Sequence, residues 1–314
     1  MEASSIVVLN PRPPFRLEPT VRVLQRRPSN RVDVWRDGRY WRVLPAGAGN
    51  ALVEVAESGT AEAPALTLRF HEAALGEVDR RQMADTMRGI LGTDVDTAPF
   101  QRLAAGDPIL SRSAGALYGL KPPRFPSLME TFVNVVVFQQ ISLNAALAIT
   151  GRLVQQYGDR VEQEGQAYYA FPTASVLSAV AVDDLRRVGL TQRKAEAVHA
   201  LAGMVASGEL SFEGVAALSS DEAVARLLSL PGIGRWSAEL VLLRGLGRLD
   251  VFPSGDAGIR RALGLLYGLP AAAGSDEERE LATRFGPYRG MLYFFVVGAR
   301  LHALGVLSDH GPGS

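Results

Sequence analysis

The stretch Leu230–Leu263, "LPGIGRWSAELVLLRGLGRLDVFPSGDAGIRRAL", decides how the chain is read. Gly232 and Gly234 flank Ile233 after Pro231, and a helical run follows from Arg235 to about Arg244. Ser220 to Leu228 is also helical in pattern, so two short helices reverse direction through a few residues. Glycine permits that reversal because it adopts φ values closed to other residues. The amides of Ile233, Gly234 and the first turn after them, where Arg235 and Ser237 stand, then point outward at the positive end of a helix dipole. Such an end suits a phosphodiester. The plainer alternative is an αα-hairpin whose glycines only close a turn. Asp256 follows 20 positions after Trp236 and directly precedes "AGIRRALGLLYG". It is an N-cap there, a catalytic carboxylate, or both, since capping also holds a carboxylate rigid and ionised.

Working outward, the chain from about Ser113 is almost wholly helical. Ser127-Leu128-Met129-Glu130 has the spacing of a capping box, opening the apolar helix "TFVNVVVF". Gln139-Gln140 interrupts the apolar periodicity, and Ser142 caps the next helix. Further helix starts are expected at Thr173, Asp183, Thr191 and Ser220, with stops at Gly158, Gly189 and Gly208. Upstream, "FRLEPTVRVLQRRP", "RVDVWRDGRYWRVLP", "ALVEVAES" and "ALTLRF" alternate as strands do. Asp37-Gly38 marks a hairpin, and "EVDRRQMADTMRGIL" is an amphipathic helix. The expected fold is mainly α: a small α+β domain with an antiparallel sheet over 1–106, then a helical region over 107–314.

Composition narrows the chemistry. The 314 residues include no cysteine, which excludes disulfides, thiolate metal sites and cysteine nucleophiles. The four histidines are scattered and never fall at i, i+4, so a histidine-rich metal site is not expected. A net charge of zero leaves any nucleic-acid face to be a local one. No apolar run reaches the roughly 20 residues of a membrane helix, and no signal peptide is evident. The expected location is the cytoplasm, with nucleoid association in a prokaryote.

Together "LPGIGRWSA", "FQQIS", "GLTQRKAEAVHALA", "GPYRG" and the spaced Asp256 resemble the helix–hairpin–helix superfamily of DNA base-excision glycosylases, and most closely its DNA-3-methyladenine glycosylase II branch. The likeness runs from about Asp107 to Val306. It implies two helical subdomains with a DNA cleft between them, and double-stranded DNA containing damaged bases as the partner of a monomeric enzyme. Asp256 is then the catalytic carboxylate. Trp236, Leu240, Tyr288 and Tyr293 fall to the base pocket, though a core role for Trp236 stays open. Gln139, Gln140 and Ile141 match the wedge loop that fills the gap left by a flipped base, or else form a polar connection between helices. Gly232, Ile233, Gly234, Arg235, Ser237, Arg193 and Lys194 are the implied phosphate contacts. No cofactor is required, although a structural Na+ or K+ on the carbonyls of Leu228, Leu230 and Ile233 is consistent with the family. Bifunctional members carry a lysine just after the hairpin. Tryptophan stands there in this chain, which implies a monofunctional enzyme leaving an abasic site. Departures at Leu240 and Val297, where the branch carries aromatics, leave other purine lesions such as hypoxanthine, ethenoadenine and 8-oxoguanine as alternatives, and a non-catalytic DNA-binding module as another.

Overall fold

The computed structural model describes residues 6–47, 49–72, 75–268 and 274–307. The N-terminal elements are β1 (Ile6–Leu9), α1 (Leu17–Gln25), β2 (Val34–Arg36), β3 (Arg39–Ala46), β4 (Gly49–Thr60), β5 (Ala63–Phe70) and α2 (Glu77–Leu91). The strands form one antiparallel sheet in the order β1-β5-β4-β3-β2. Asp37 and Gly38 turn β2 into β3 with φ of 53° and 74°, the positive values a two-residue hairpin needs.

One expected strand is a helix. "FRLEPTVRVLQRRP" contains α1, in which Leu17, Val21 and Leu24 are buried at i, i+4 and i+7. Pro19 sits in the first turn, where its missing N–H breaks no helical bond. Val21 and Leu24 face the sheet core, while Val23 enters the helical core, so α1 is apolar on both sides. That double burial is what makes its sequence look like an alternating strand.

The remaining elements are α3 (Ala98–Gly106), α4 (Ser111–Ala114), α5 (Leu128–Phe138), α6 (Leu143–Tyr157), β6 (Arg160–Gln163), β7 (Gln166–Tyr169), α7 (Ala174–Ala179), α8 (Val182–Arg187), α9 (Gln192–Ala206), α10 (Phe212–Ala216), α11 (Ser220–Leu228), α12 (Arg235–Arg244), α13 (Ala257–Tyr267), α14 (Ser275–Thr283) and α15 (Arg289–Ala303). Ser127, Ser142, Thr173 and Thr191 each accept the backbone N–H three residues on, as expected of N-caps. Two boundaries are corrected. Ser219, in a box with Glu222, caps α11, and α8 begins after Ala181 with Asp183 in its first turn. The β6–β7 hairpin was not anticipated. It turns at Glu164-Gly165 with positive φ at both residues, and Tyr168 stacks on Trp41 of β3 at 5.6 Å.

Glu130 does not complete the expected capping box. It is buried and pairs with Arg42 of β3, which also pairs with Asp33. Tyr40 donates to the same Asp33 oxygen at 2.7 Å. Arg42 thus joins the sheet to α5 beneath the helical core. Arg42→Ala leaves two buried carboxylates without their cation and is expected to cost about 3–5 kcal/mol of folding stability. Urea unfolding checks this, and a loss under about 1 kcal/mol would remove Arg42 from the role of clamp.

Candidate active site

The hairpin places α11 and α12 where the spacing predicted. Gly232 has φ of 74°, and a Cβ built on it would come within 2.7 Å of the Ala197 Cβ on α9. Its glycine is therefore explained by backbone conformation and helix contact, not by room for an outside partner. Gly234 is different: a Cβ there meets nothing within 4 Å, and no side chain caps α12. The Ile233 side chain is buried and anchors the turn. Open amides at the start of α12 are thus left at the positive end of its dipole.

The loop between α5 and α6 is tied to this hairpin. Gln139 donates from Nε2 to the Gly232 carbonyl (2.8 Å) and to Ser237 Oγ (2.9 Å), so its side chain turns inward. Gln140 has φ of 55° and is exposed, and Ile141 is exposed beside it. Of the three expected wedge residues, these two are the exposed ones. Ser237 is buried and engaged by Gln139, which leaves its backbone N–H rather than its hydroxyl to face a partner. Lys194 is a correction among the expected phosphate contacts. Its Nζ donates to the carbonyls of Val137 (2.9 Å) and Gln139 (2.6 Å) at the end of α5, where unsatisfied acceptors draw a cation inward. Burial lowers its pKa. Arg193 is exposed, and Arg235 is 59% exposed while pairing with Glu239 at 3.1 Å.

Asp256 caps α13. Its Oδ1 accepts from Gly258 N at 2.8 Å and Ile259 N at 3.0 Å. The two residues before it are fixed by buried carboxylates. Glu239 of α12 accepts from Ser254 N at 3.2 Å, and Glu278 of α14 accepts from Gly255 N at 2.7 Å while pairing with Arg260. Three consecutive residues are thereby held from three helices. Burial raises the Glu239 pKa, opposed by Arg279 and Arg235.

Asp256 lines a cavity of about 570 Å³. Trp236, Leu240 and Arg244 face it from one side of α12 at i, i+4 and i+8, becoming steadily more buried from the half-buried indole inward. Tyr293 and Ile141 also line it. Tyr288 does not: it lies in the turn before α15, five residues from Tyr293 and so on another face, and packs against the helical core. Sequence reasoning missed the N-terminal contribution. Leu24, Arg26, Asn30 and Asp33 line the same cavity. Arg26 has φ of 61°, donates to Tyr293 Oη and lies over that ring. Burial alone would lower the Arg26 pKa, but Tyr293 and Asp256 nearby raise it overall. Among the described residues no cluster of three or more His, Asp or Glu is placed to hold a metal ion.

A family described as HhH-GPD superfamily base excision DNA repair protein matches residues 133–287, and the AlkA N-terminal domain family matches residues 6–127. A DNA-3-methyladenine glycosylase of Bacillus subtilis is 30% identical over 203 residues, covering 65% of this chain and 67% of that protein. This chain belongs to the helix–hairpin–helix base-excision repair superfamily. Its fold is similar to the 3-methyladenine DNA glycosylase of Archaeoglobus fulgidus, with a TM-score of 0.78 at 27% identity over 93% of this chain and 97% of that one. It is similar to a lesser extent to the Schizosaccharomyces pombe 3-methyladenine DNA glycosylase, solved with abasic DNA, at a TM-score of 0.53 and 26% identity over 64% and 95% of the two chains.

In this superfamily member, Glu278→Ala would leave Gly255 N and the Arg260 guanidinium without their acceptor. We expect a loss of about 1–3 kcal/mol in unfolding free energy, since Glu278 is buried while Gly255 and the Arg260 guanidinium keep partial access to water. Glu278→Gln, which keeps an oxygen for Gly255 N, should lose less. Equal stability of Glu278→Ala and the parent would contradict the pinning of this loop.

Proposed function

We propose that this protein is a monofunctional DNA glycosylase that flips an alkylated purine of the 3-methyladenine or 7-methylguanine type out of duplex DNA and hydrolyses its N-glycosidic bond. The observation that carries this reading is the rigidly held Asp256 on the wall of a cavity large enough for a purine, beside an aromatic and a hairpin with open amides. Cleavage develops positive, oxocarbenium-like charge on the deoxyribose. A preorganised carboxylate stabilises that charge and orients or deprotonates the attacking water, worth orders of magnitude in rate. Because Oδ1 is held by the α13 amides, the anion does not reorganise as the charge develops.

The other parts divide the remaining work. The amides of Gly234 and the first turn of α12, with Arg235 and Arg193 at the surface, grip the phosphodiester. Exposed Gln140 and Ile141 enter the gap left by the extruded nucleotide. The Trp236 indole attracts an alkylated, cationic base by about 0.5–2 kcal/mol. Such a base is already a good leaving group, so hydrolysis needs no covalent nucleophile. No lysine lines the cavity among the described residues, in keeping with a reaction that stops at the abasic site. The hairpin carbonyls of Leu228, Leu230 and Ile233 are neutral oxygens of the kind a Na+ or K+ takes, and that of Leu230 carries only a long bond from Ile233 N (3.3 Å). An ion there would stiffen the turn. The protein acts as a monomer in the cytoplasm, at the nucleoid if the source is prokaryotic.

Incubation with methylated duplex DNA tests the reading. Free 3-methyladenine and 7-methylguanine should appear, the product strand should remain uncut at its abasic sites, and borohydride should trap no covalent complex. Failure to release either base would overturn the substrate class, and a trapped complex would overturn monofunctional chemistry.

A further inference from the structure

A side pocket of about 80 Å³ opens beside Asp256, between α13, α15 and the segment after α1. It shares Asp256, Gly258 and Tyr293 with the main cavity. Its floor is apolar. Val296, Val297 and Leu301 follow Tyr293 at i+3, i+4 and i+8 on one face of α15, and Ile259 and Ala262 meet them from α13. Its edge is cationic. Arg300, on the same face of α15, is exposed, and Arg27 across the pocket is half-buried, so a ligand from solution has access to both. Neither guanidinium has an ion-pair or hydrogen-bond partner among the described residues. Arg26, which is engaged by Tyr293, is a third cation on this lining, and Asp256 is the one carboxylate among the described lining residues. Cations gathered from opposite ends of the chain repel each other unless an anion joins them.

An apolar floor, a cationic edge and a carboxylate on one wall match a deoxyribose phosphate. The sugar offers a ring face of carbon with no 2′-hydroxyl, and the phosphodiester beside it is fully ionised. We propose that this pocket is a sugar–phosphate subsite, seating the deoxyribose of an extruded nucleotide on the α13 and α15 side chains and one flanking phosphate between Arg27 and Arg300. The pocket is much smaller than the main cavity of about 570 Å³, which suits the sugar and leaves the larger space to the base. A sugar seated there turns its glycosidic carbon toward Asp256. The hairpin amides at the start of α12 belong to a different part of the cleft, so this second grip acts only once a nucleotide has left the stack. The subsite rests on the glycosylase reading for its setting, but binding at it is separable from base release. A guanidinium–phosphate hydrogen bond is worth about tenfold to a hundredfold in affinity.

A duplex carrying one tetrahydrofuran analogue of an abasic nucleotide supplies the sugar and its phosphates with no base to release. In fluorescence anisotropy titrations the parent protein should bind it about tenfold or more tightly than the undamaged duplex. Replacing both arginines, Arg27→Gln with Arg300→Gln, should remove most of that preference while changing affinity for the undamaged duplex by less than about threefold. A methylphosphonate, which removes the charge of one phosphate flanking the analogue, should cost the parent about tenfold at one of the two positions and should cost the double variant far less there. If the double variant does not fold, Arg300→Gln alone, at an exposed position, should show the same pattern with a smaller loss. Equal binding of the two duplexes by the parent, an equal loss on both duplexes in the variant, or a methylphosphonate cost that the variant keeps undiminished at both positions would overturn the proposal. A protein that shows this preference yet releases no base would defeat the glycosylase reading alone.

Discussion

The site depends on the backbone of residues 254–256 being held from three directions. Glu239 takes the amide of Ser254, Glu278 takes that of Gly255, and Asp256 takes two amides of α13. A carboxylate on an ordinary loop would move as charge developed near it and would lose much of its stabilising effect. Here the cap fixes one oxygen and leaves the other for the cavity. On the function proposed for Asp256, capping and chemistry are the same structural event, and the two carboxylates behind it act through position alone.

The N-terminal sheet is part of the same device. Arg42 reaches from β3 to Glu130 on α5, and the segment after α1 sends Arg26 to Tyr293 on α15. These contacts place N-terminal residues on the cavity wall close to Asp256. A pocket built only from helices would be open on that side. The electrostatics follow from this closure. Burial and the neighbouring Arg26 pull the Arg244 pKa down to about 10, which still leaves it cationic at neutral pH.

What was legible in the sequence was what is decided locally. The ends of α11, α12 and α13 follow from serine, glycine and aspartate at their termini, and the Asp37-Gly38 turn needs no distant partner to be read. Groups whose partners lie far along the chain were not legible. Lys194 looks like a surface cation at a helix start, but the carbonyls it satisfies are 55 and 57 residues away. Glu130 looks like a capping residue until Arg42, 88 residues upstream, claims it. Arg26, Asp33 and Arg244 carry no local signal, since their roles are set by burial and by each other. Gly232 was legible as a turn residue, but the Ala197 contact that also demands glycine was not.

The central claim is that Asp256 supplies transition-state charge stabilisation and not only a helix cap, and single-turnover base release by Asp256→Asn separates the two. Asparagine keeps an Oδ1 acceptor for Gly258 and Ile259, so unfolding free energy and DNA affinity should change little. The rate of alkylpurine release from a methylated duplex should fall by about two orders of magnitude or more. An Asp256→Asn variant that releases base at the parent rate, or that loses rate only in proportion to lost DNA binding, would contradict the account.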